Sequence, residues 1–177
     1  MIAPKIPSDE EQRLAALDKL GLLYTDFENR FDRITSLASR IFGVPMAFIS
    51  FVAEDKQWFK SCFGMGTTRE TGRGVSFCGH AILEEKTMIV EDARKDERFI
   101  DNPLVVNPPH IVFYAGRPLH FDGQRVGTLC IADTKPRTLS MEEVANLNDL
   151  AIWVEREMGN FDRDLKNIGS KIEQKKK

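Results

Sequence analysis

The chain has 177 residues, of which 42% are hydrophobic and 29% are charged, and its formal net charge is -2. This length and composition predict one globular domain with its own core, and the near-neutral charge gives no electrostatic basis for binding nucleic acid. No stretch approaches the roughly 20 apolar residues of a membrane helix or resembles a signal peptide, so we expect a cytoplasmic protein that does not bind membranes.

Two amphipathic helices are predicted before the first strand. Ser8 with Glu11, and then Thr25 with Glu28, have the spacing of a capping box at a helix N-terminus. In the second helix, apolar residues recur every three or four positions, and Gly43 then suits a left-handed helix end. We expect one face of a sheet to be covered by its apolar stripe, which is formed by Phe27, Phe31, Ile34, Leu37 and Ile41.

Two strands are predicted next, over residues 46–52 and 57–63. The first is apolar on both faces, so we expect it to lie inside the sheet. The second alternates, with Trp58, Lys60 and Cys62 on one face. A lysine among apolar neighbours is typical of a sheet edge, where a charge discourages further pairing.

Two further elements are predicted: a short helix that Ser76 caps, and a brief strand over residues 88–90. An irregular segment lies on either side of them. Residues 64–74 hold four glycines and three threonines, which is typical of a mobile loop. Residues 92–109 form a polar connection of unusual length, and such connections are usually functional. Its polar side chains could contact a ligand or a cation, but we interpret them as caps and Asx turns: Asp92, Asp96, Asp101 and Asn102.

A hairpin over residues 110–133 is the feature around which the sequence is organised. Asp122 and Gly123 separate two β-branched and aromatic runs, which is a strong signal for a tight turn between antiparallel strands. The second run, Arg125 to Asp133, is apolar on both faces and is predicted to be the central strand. Hairpin-linked strands with helices at both ends predict an α+β fold, in which helices pack on one face of an antiparallel sheet.

The last helix is predicted to start at Ser140, which has capping-box spacing with Glu143. Apolar residues then follow a heptad pattern from Val144 to Ile172, and we expect the helix to weaken at Gly159. The first half is interpreted as packing on the sheet, because like charges would flank the seam of a parallel homodimer: Glu155, Glu157, Asp162 and Asp164. A homodimer through the terminal helices stays an open alternative.

Irregular chain is expected to cover the other face of the sheet. Because loops pack less densely than helices, we expect a cavity for a small molecule there. The ligand-binding candidates are Phe48, Trp58, Phe77, Cys78, His110, Tyr114, Thr128 and Cys130. The alternative is that side chains fill the space and leave only a vestigial pocket, since a fold alone does not establish a ligand.

Several separated motifs resemble a known family: Gln57-Trp-Phe-Lys60, Ser76-Phe-Cys-Gly-His-Ala-Ile82, Asp101-Asn-Pro-Leu104, Phe113-Tyr-Ala-Gly116 and Gly127-Thr-Leu-Cys130. They resemble a GAF domain, and more narrowly the bacterial subgroup found alone or ahead of diguanylate cyclase and histidine kinase modules. The resemblance implies a PAS-like antiparallel sheet of strand order 2-1-5-4-3 and a small-molecule pocket on the loop side. It also implies signalling through the terminal helices to an output protein or domain. Residues 1–158 would form the domain, and residues 159–177 a helical extension with a basic tail.

No cofactor is implied. Val112 stands where members of the subgroup usually carry Arg, which removes a partner for an anionic ligand group. The signature of cyclic-nucleotide-binding GAF domains is not recognisable, and no cysteine has a convincing context for bilin attachment. Haem and metal ions are not supported either, because the His and Cys residues lack tight ligand spacing.

The cysteines suggest a competing function. Three is an odd number in a chain too large to need disulfide bonds, so we expect reduced thiols. Cys78 lies close to His80 in the sequence, and free methionine sulfoxide reductases with the GAF fold use cysteines in this region, although with a different spacing. The leading hypothesis is a non-catalytic sensor. The alternatives are a thiol-dependent reductase using Cys78 or Cys130, and a dimerisation module with a vestigial pocket.

Overall fold

The computed structural model describes the backbone of residues 1–174 and the side chains of residues 1–159. The helices of this part are α1 (Glu10–Leu20), α2 (Asn29–Phe42), α3 (Phe77–Ala81), α4 (Pro103–Val106) and α5 (Met141–Gln174). The strands are β1 (Met46–Val52), β2 (Lys56–Phe63), β3 (Glu70–Gly72), β4 (Met88–Val90), β5 (Phe113–Phe121) and β6 (Gln124–Asp133). Two 3₁₀ turns, Arg73–Val75 and Ala93–Lys95, lie in the connections.

These strands form one antiparallel sheet in the order β3-β2-β1-β6-β5-β4. Without β3, this is the expected order 2-1-5-4-3. Asp122 and Gly123 join β5 to β6 with φ angles of 50° and 76°, and positive φ at both turn residues matches the twist of a tight hairpin. The additional strand corrects one expectation, because β3 lies in the segment predicted to be a mobile loop and pairs Thr71 with Gln57.

The two faces of the sheet have different covers. α1, α2 and the first part of α5 lie on one face, where Phe31 and Ile34 of α2 pack in a buried core with Ile49 and Leu129 of the sheet. The other face carries α3, α4 and irregular chain over a second apolar cluster. β1, which lies between the two covers, is buried along its whole length. The predicted α+β layering is confirmed.

Lys60 corrects a second expectation, because it lies beneath the helices and not at an open sheet edge. Its side chain is 0% exposed, and its Nζ lies 2.5 Å from a carboxylate oxygen of Glu28. The same ammonium group donates to the Thr25 hydroxyl and the Asp26 carbonyl, each at 2.6 Å. Thr25 and Glu28 therefore satisfy a buried cation, and the capping box predicted from their spacing does not form.

The other predicted caps give mixed outcomes. At the start of α5, the Ser140 hydroxyl accepts from the Glu143 amide at 3.1 Å, and the Ser140 amide donates to the Glu143 carboxylate at 2.8 Å. Ser76 caps α3 as predicted, by accepting from the Gly79 amide. Ser8 does not cap α1, because the helix begins only after Asp9, one residue later than the predicted spacing requires.

α5 continues through Gly159 to Gln174, so the weakening expected at Gly159 does not end the helix. Its first half packs on the sheet as predicted, through Leu147, Ala151 and Val154. The side chains of the later heptad positions and of Asp162 and Asp164, and the basic tail over residues 175–177, lie outside the described residues. Across residues 1–174, no helix combines the length and the apolar character needed to cross a membrane.

Candidate functional site

Short elements cover the loop side of the sheet, and we call this cover the roof: residues 73–83 and 92–111. Asn102 joins its two segments, since its Nδ2 donates to the Val75 carbonyl at 2.9 Å while its Oδ1 caps α4. Asp92 and Asp96 each accept from the backbone amide two residues further on. These three side chains act as the caps and Asx turns that we predicted and hold the roof in shape. The fourth, Asp101, pairs with the N-terminal ammonium group instead.

The segment before α1 lies across the outside of the roof. The Ile2 amide donates to the Arg98 carbonyl at 3.0 Å, and the Ile2 carbonyl lies 2.9 Å from Nε2 of His80. Pro4 packs so closely on Gly79 that a Cβ added there would lie 2.7 Å from the proline ring. The contact of His80 with Ile2 therefore helps to hold the N-terminal segment against the outside of the roof.

Aromatic rings fill most of the space under the roof. Phe77 is stacked between Phe99 and Tyr114, with ring centroids 4.0 and 5.0 Å away. The His80 ring meets Phe99 edge-on at 5.0 Å. Stacked rings at these distances are in contact. Much of the space expected for a ligand is therefore occupied by the protein's own side chains.

A small cavity remains beside this stack. Its volume is about 20 Å³, which is close to the room needed by one water molecule. Gln57 Oε1 and Thr71 Oγ1 are buried and, among the described residues, make no hydrogen bond. The cavity is lined by Phe48, Gln57, Phe59, Met65, Thr71, Phe77, Cys78, Leu104, Ile111 and Tyr114.

The structure brings most of the sequence candidates to this face. Four of them line the cavity: Phe48, Phe77, Cys78 and Tyr114. Cys130 lies beside Cys78 in the same apolar cluster. Thr128 lies two residues before Cys130 on β6, and its hydroxyl is 3.2 Å from the Ser50 hydroxyl.

Trp58 does not reach the cavity, and the expectation that it faces this side is wrong. Its ring packs against the helix-side core and meets the Tyr24 ring edge-on, with centroids 5.1 Å apart. His110 is also outside, because it is exposed at the edge of the roof with a φ of 58°. Its Nδ1 lies 3.3 Å from the Val105 carbonyl, so its contact is local.

A β-bulge explains the misplacement of Trp58. The pairing of β1 with β2 skips Lys60, which puts Lys60 and Ser61 on the same, helix-covered face. Across a bulge, consecutive side chains no longer alternate between the two faces of the sheet. Phe59 therefore takes the position expected for Trp58, with its ring centroid 5.4 Å from that of Phe48.

Two thiols meet at the wall of the cavity. Cys78 Sγ lies 3.8 Å from Cys130 Sγ and accepts a hydrogen bond from the Tyr114 hydroxyl at 3.2 Å. Burial raises the pKa of Cys78, but hydrogen bonds with Cys130, Ser50, Thr128 and Tyr114 outweigh this effect and lower the pKa to about 7. Burial and the neighbouring Cys78 raise the pKa of Cys130 well above its usual range. Both effects favour the thiolate at Cys78.

A wider groove beside β4 is the less suitable candidate. Its volume is about 930 Å³ and it is open to solvent. Most of its charged side chains already pair with neighbours, as in Arg98 with Asp96 at 2.7 Å and Arg137 with Asp133 at 2.5 Å. No group of three metal-ligating side chains within residues 1–159 could hold a metal ion.

The model of the GAF domain family matches residues 26–158, which include the whole sheet and the roof. The chain belongs to the GAF domain family. This GAF domain is 41% identical over 153 residues to a cyclic di-GMP phosphodiesterase of Pseudomonas aeruginosa. The match covers 85% of the chain and 26% of that protein, so the chain spans about a quarter of its relative's length.

Solved structures share the fold of this GAF domain. The GAF domain of an Acinetobacter phosphoenolpyruvate-protein phosphotransferase superposes with a TM-score of 0.63 and 14% identity, covering 87% of this chain and 95% of that one. A free methionine-R-sulfoxide reductase from Neisseria meningitidis, in complex with its substrate, gives a TM-score of 0.62 and 16% identity, covering 93% and 99%. At such identities the likeness shows the fold alone.

Proposed function

We propose that this GAF domain is a non-catalytic regulatory module of bacterial cytoplasmic signalling, which binds a small molecule under the roof. The observation that carries the proposal is the polar part of the cavity lining, Gln57 and Thr71, whose Oε1 and Oγ1 atoms are buried and bond to no described residue. A buried polar group without a partner costs about 1–3 kcal/mol. A guest that hydrogen-bonds to these atoms would recover that cost.

The lining indicates the chemistry of the guest. Gln57 and Thr71 face each other across β2 and β3, and the amide oxygen requires an N–H or O–H donor. Aromatic and aliphatic side chains form most of the remaining wall, so a compact apolar body with at least one donor group fits best. A guest larger than water must displace the roof or the ring of Phe77.

β5 connects the cavity to the terminal helix. Tyr114 lies under the roof, whereas its neighbours Phe113 and Ala115 point into the core that includes Leu147 and Val154 of α5. A guest that displaces Tyr114 would therefore shift β5 against α5. We propose that an output domain of cyclic di-GMP metabolism reads this shift, as the relative from Pseudomonas aeruginosa suggests.

A second candidate function is a dimerisation module with a vestigial pocket. The stacked rings and the volume of only about 20 Å³ favour it. Ile152 and Trp153, which are 46% and 43% exposed on α5, are available for a homodimer. The reductase alternative has less support, because the likeness to the solved methionine-R-sulfoxide reductase, at 16% identity, extends only to the fold.

Native mass spectrometry of protein purified without denaturation tests the proposal. We expect the wild type to carry a small molecule that denaturation releases. Gln57→Leu and Thr71→Val, which remove the polar atoms at similar volume, should reduce its occupancy at least about tenfold, equivalent to one lost hydrogen bond. The matched control is Ile152→Ala on the exposed face of α5, which should retain the molecule in full.

Two results would contradict the binding function. One is the release of no small molecule from any of the four proteins, which would favour the vestigial pocket. The other is equal release from Gln57→Leu and the wild type, which would put the molecule elsewhere on the domain.

A further inference from the structure

The proposed binding function does not use the thiol chemistry of two buried cysteines. Cys78 is the second residue of α3 in the roof, and Cys130 lies on the central strand β6. Their sulfur atoms are 3.8 Å apart, and both side chains are buried. We propose that Cys78 and Cys130 are a redox-active dithiol, which a peroxide converts into an intramolecular disulfide bond.

The polar groups around Cys78 suit a thiolate better than a thiol. The Tyr114 hydroxyl donates to its sulfur at 3.2 Å, and the Cys130 sulfur lies 3.8 Å from it. Most other side chains of this cluster are apolar. A neutral thiol is only a weak acceptor, so the hydrogen bond that the Tyr114 hydroxyl donates favours the ionised form of Cys78. The thiolate is the form of cysteine that reacts with peroxides.

The geometry allows this pair and excludes a bond between Cys130 and Cys62. A disulfide bond is about 2.05 Å long, so each sulfur of the pair must move by only about 1 Å. Cys62 and Cys130 both face Phe48, from β2 and β6 on either side of β1. Their backbones are therefore about 10 Å apart, two strand spacings, which is too far for a disulfide bond.

The reaction takes two steps and consumes one peroxide. The Cys78 thiolate attacks a peroxide oxygen, the O–O bond breaks, and Cys78 becomes a sulfenic acid while the other oxygen leaves as an alcohol or water with a proton. The Cys130 sulfur then attacks Cys78 Sγ. The S–O bond breaks, and hydroxide leaves as water with the Cys130 proton. Two thiols lose two electrons in total, and the peroxide gains them.

Cys78 lines the small cavity under the roof, which is where a hydrogen peroxide molecule would meet its sulfur. The bond would join the roof to the central strand across 52 positions of the chain. Oxidation would therefore fix the roof in its closed position. This consequence does not depend on any bound small molecule.

Thiol counting in the full chain tests the proposal. Protein is treated with equimolar hydrogen peroxide, denatured, alkylated with N-ethylmaleimide and weighed. The wild type should fall from three adducts to one, and dithiothreitol should restore three. Digestion without reduction should release a peptide pair that links Cys78 to Cys130. Cys62→Ser, the matched control, should fall from two adducts to none at the wild-type rate.

Three outcomes would overturn the proposal. They are retention of three alkylatable thiols in the wild type, a mass gain of added oxygen on Cys78 without a cross-link, and a disulfide that involves Cys62 or a second chain. Peptide mapping of the wild type gives the answer even if Cys78→Ser or Cys130→Ser does not fold. Where these variants do fold, Cys78→Ser should keep its two remaining thiols, whereas Cys130→Ser should lose the Cys78 thiol to a sulfenic acid without forming the cross-link.

Discussion

Glu10→Gln is expected to lower the free energy of unfolding by about 3–5 kcal/mol, the usual cost of removing one partner from a buried ion pair. Arg13 and Arg73, with side chains 2% and 4% exposed, both bind this one carboxylate. The distances are 2.8 Å from Arg13 Nη2 and 2.5 Å from Arg73 Nη1. Without the charge of Glu10, two buried guanidinium groups repel each other. Urea denaturation measures the loss as a lower midpoint at constant slope.

The same cluster should make the protein sensitive to acid. Burial raises the pKa of Glu10, but hydrogen bonds and charge interactions with Arg13 and Arg73 outweigh it and lower the pKa from 4.5 to about 2. Because the folded pKa is depressed, Glu10 stabilises the fold above about pH 4.5, and this contribution of about 2–3 kcal/mol is lost as the pH falls towards 2. The difference in stability between the wild type and Glu10→Gln should shrink over that range. The control Glu11→Gln, on the exposed side of α1, should follow the wild type, and a difference independent of pH would contradict the account.

Glu28→Gln is expected to cost about 2–4 kcal/mol, because it leaves the ammonium of Lys60 buried without a carboxylate. The cost is set below that of Glu10→Gln because the Glu28 side chain is 32% exposed. Burial lowers the pKa of Lys60, and Glu28 partly opposes that effect. Urea denaturation provides the measurement.

The double variant Glu28→Gln/Lys60→Met is the matched control for this prediction. It removes both charges and keeps an apolar stem in the place of Lys60, so it should return to within about 1 kcal/mol of the wild type. A double variant no more stable than Glu28→Gln would show that the loss does not come from the uncompensated ammonium group.

The sequence predicts features that depend on local periodicity. The helical spacing of Phe31 and Ile34, the turn at Asp122 and the cap at Ser140 each appear in the structure as expected. Phe48 lines the cavity as predicted, because side chains alternate regularly along β1 up to that position. Such features need only a short stretch of chain to be recognised.

The features that the sequence does not predict arise from contacts between distant segments. The bulge at Lys60 reverses the alternation on which the placement of Trp58 rests, and no residue type marks it. Thr71 lies in a glycine-rich stretch that becomes a strand only because Gln57 lies beside it. Ser8 and Thr25 show that capping-box spacing alone does not form a cap when the helix starts elsewhere or when a buried lysine uses the side chains.

The central claim is that a small molecule binds under the roof, and this requires the roof to open while the sheet stays folded. Native-state hydrogen exchange tests that requirement most directly. The amides to follow in the roof are those of Ile82, Val105 and Ile111, which bond to carbonyls within the roof itself; amides of β1 and β6 provide the reference. We expect the roof amides to exchange at least about tenfold faster than the reference, with little dependence on denaturant, because they open locally. Exchange of both sets only through global unfolding, with one shared dependence on denaturant, would contradict the account.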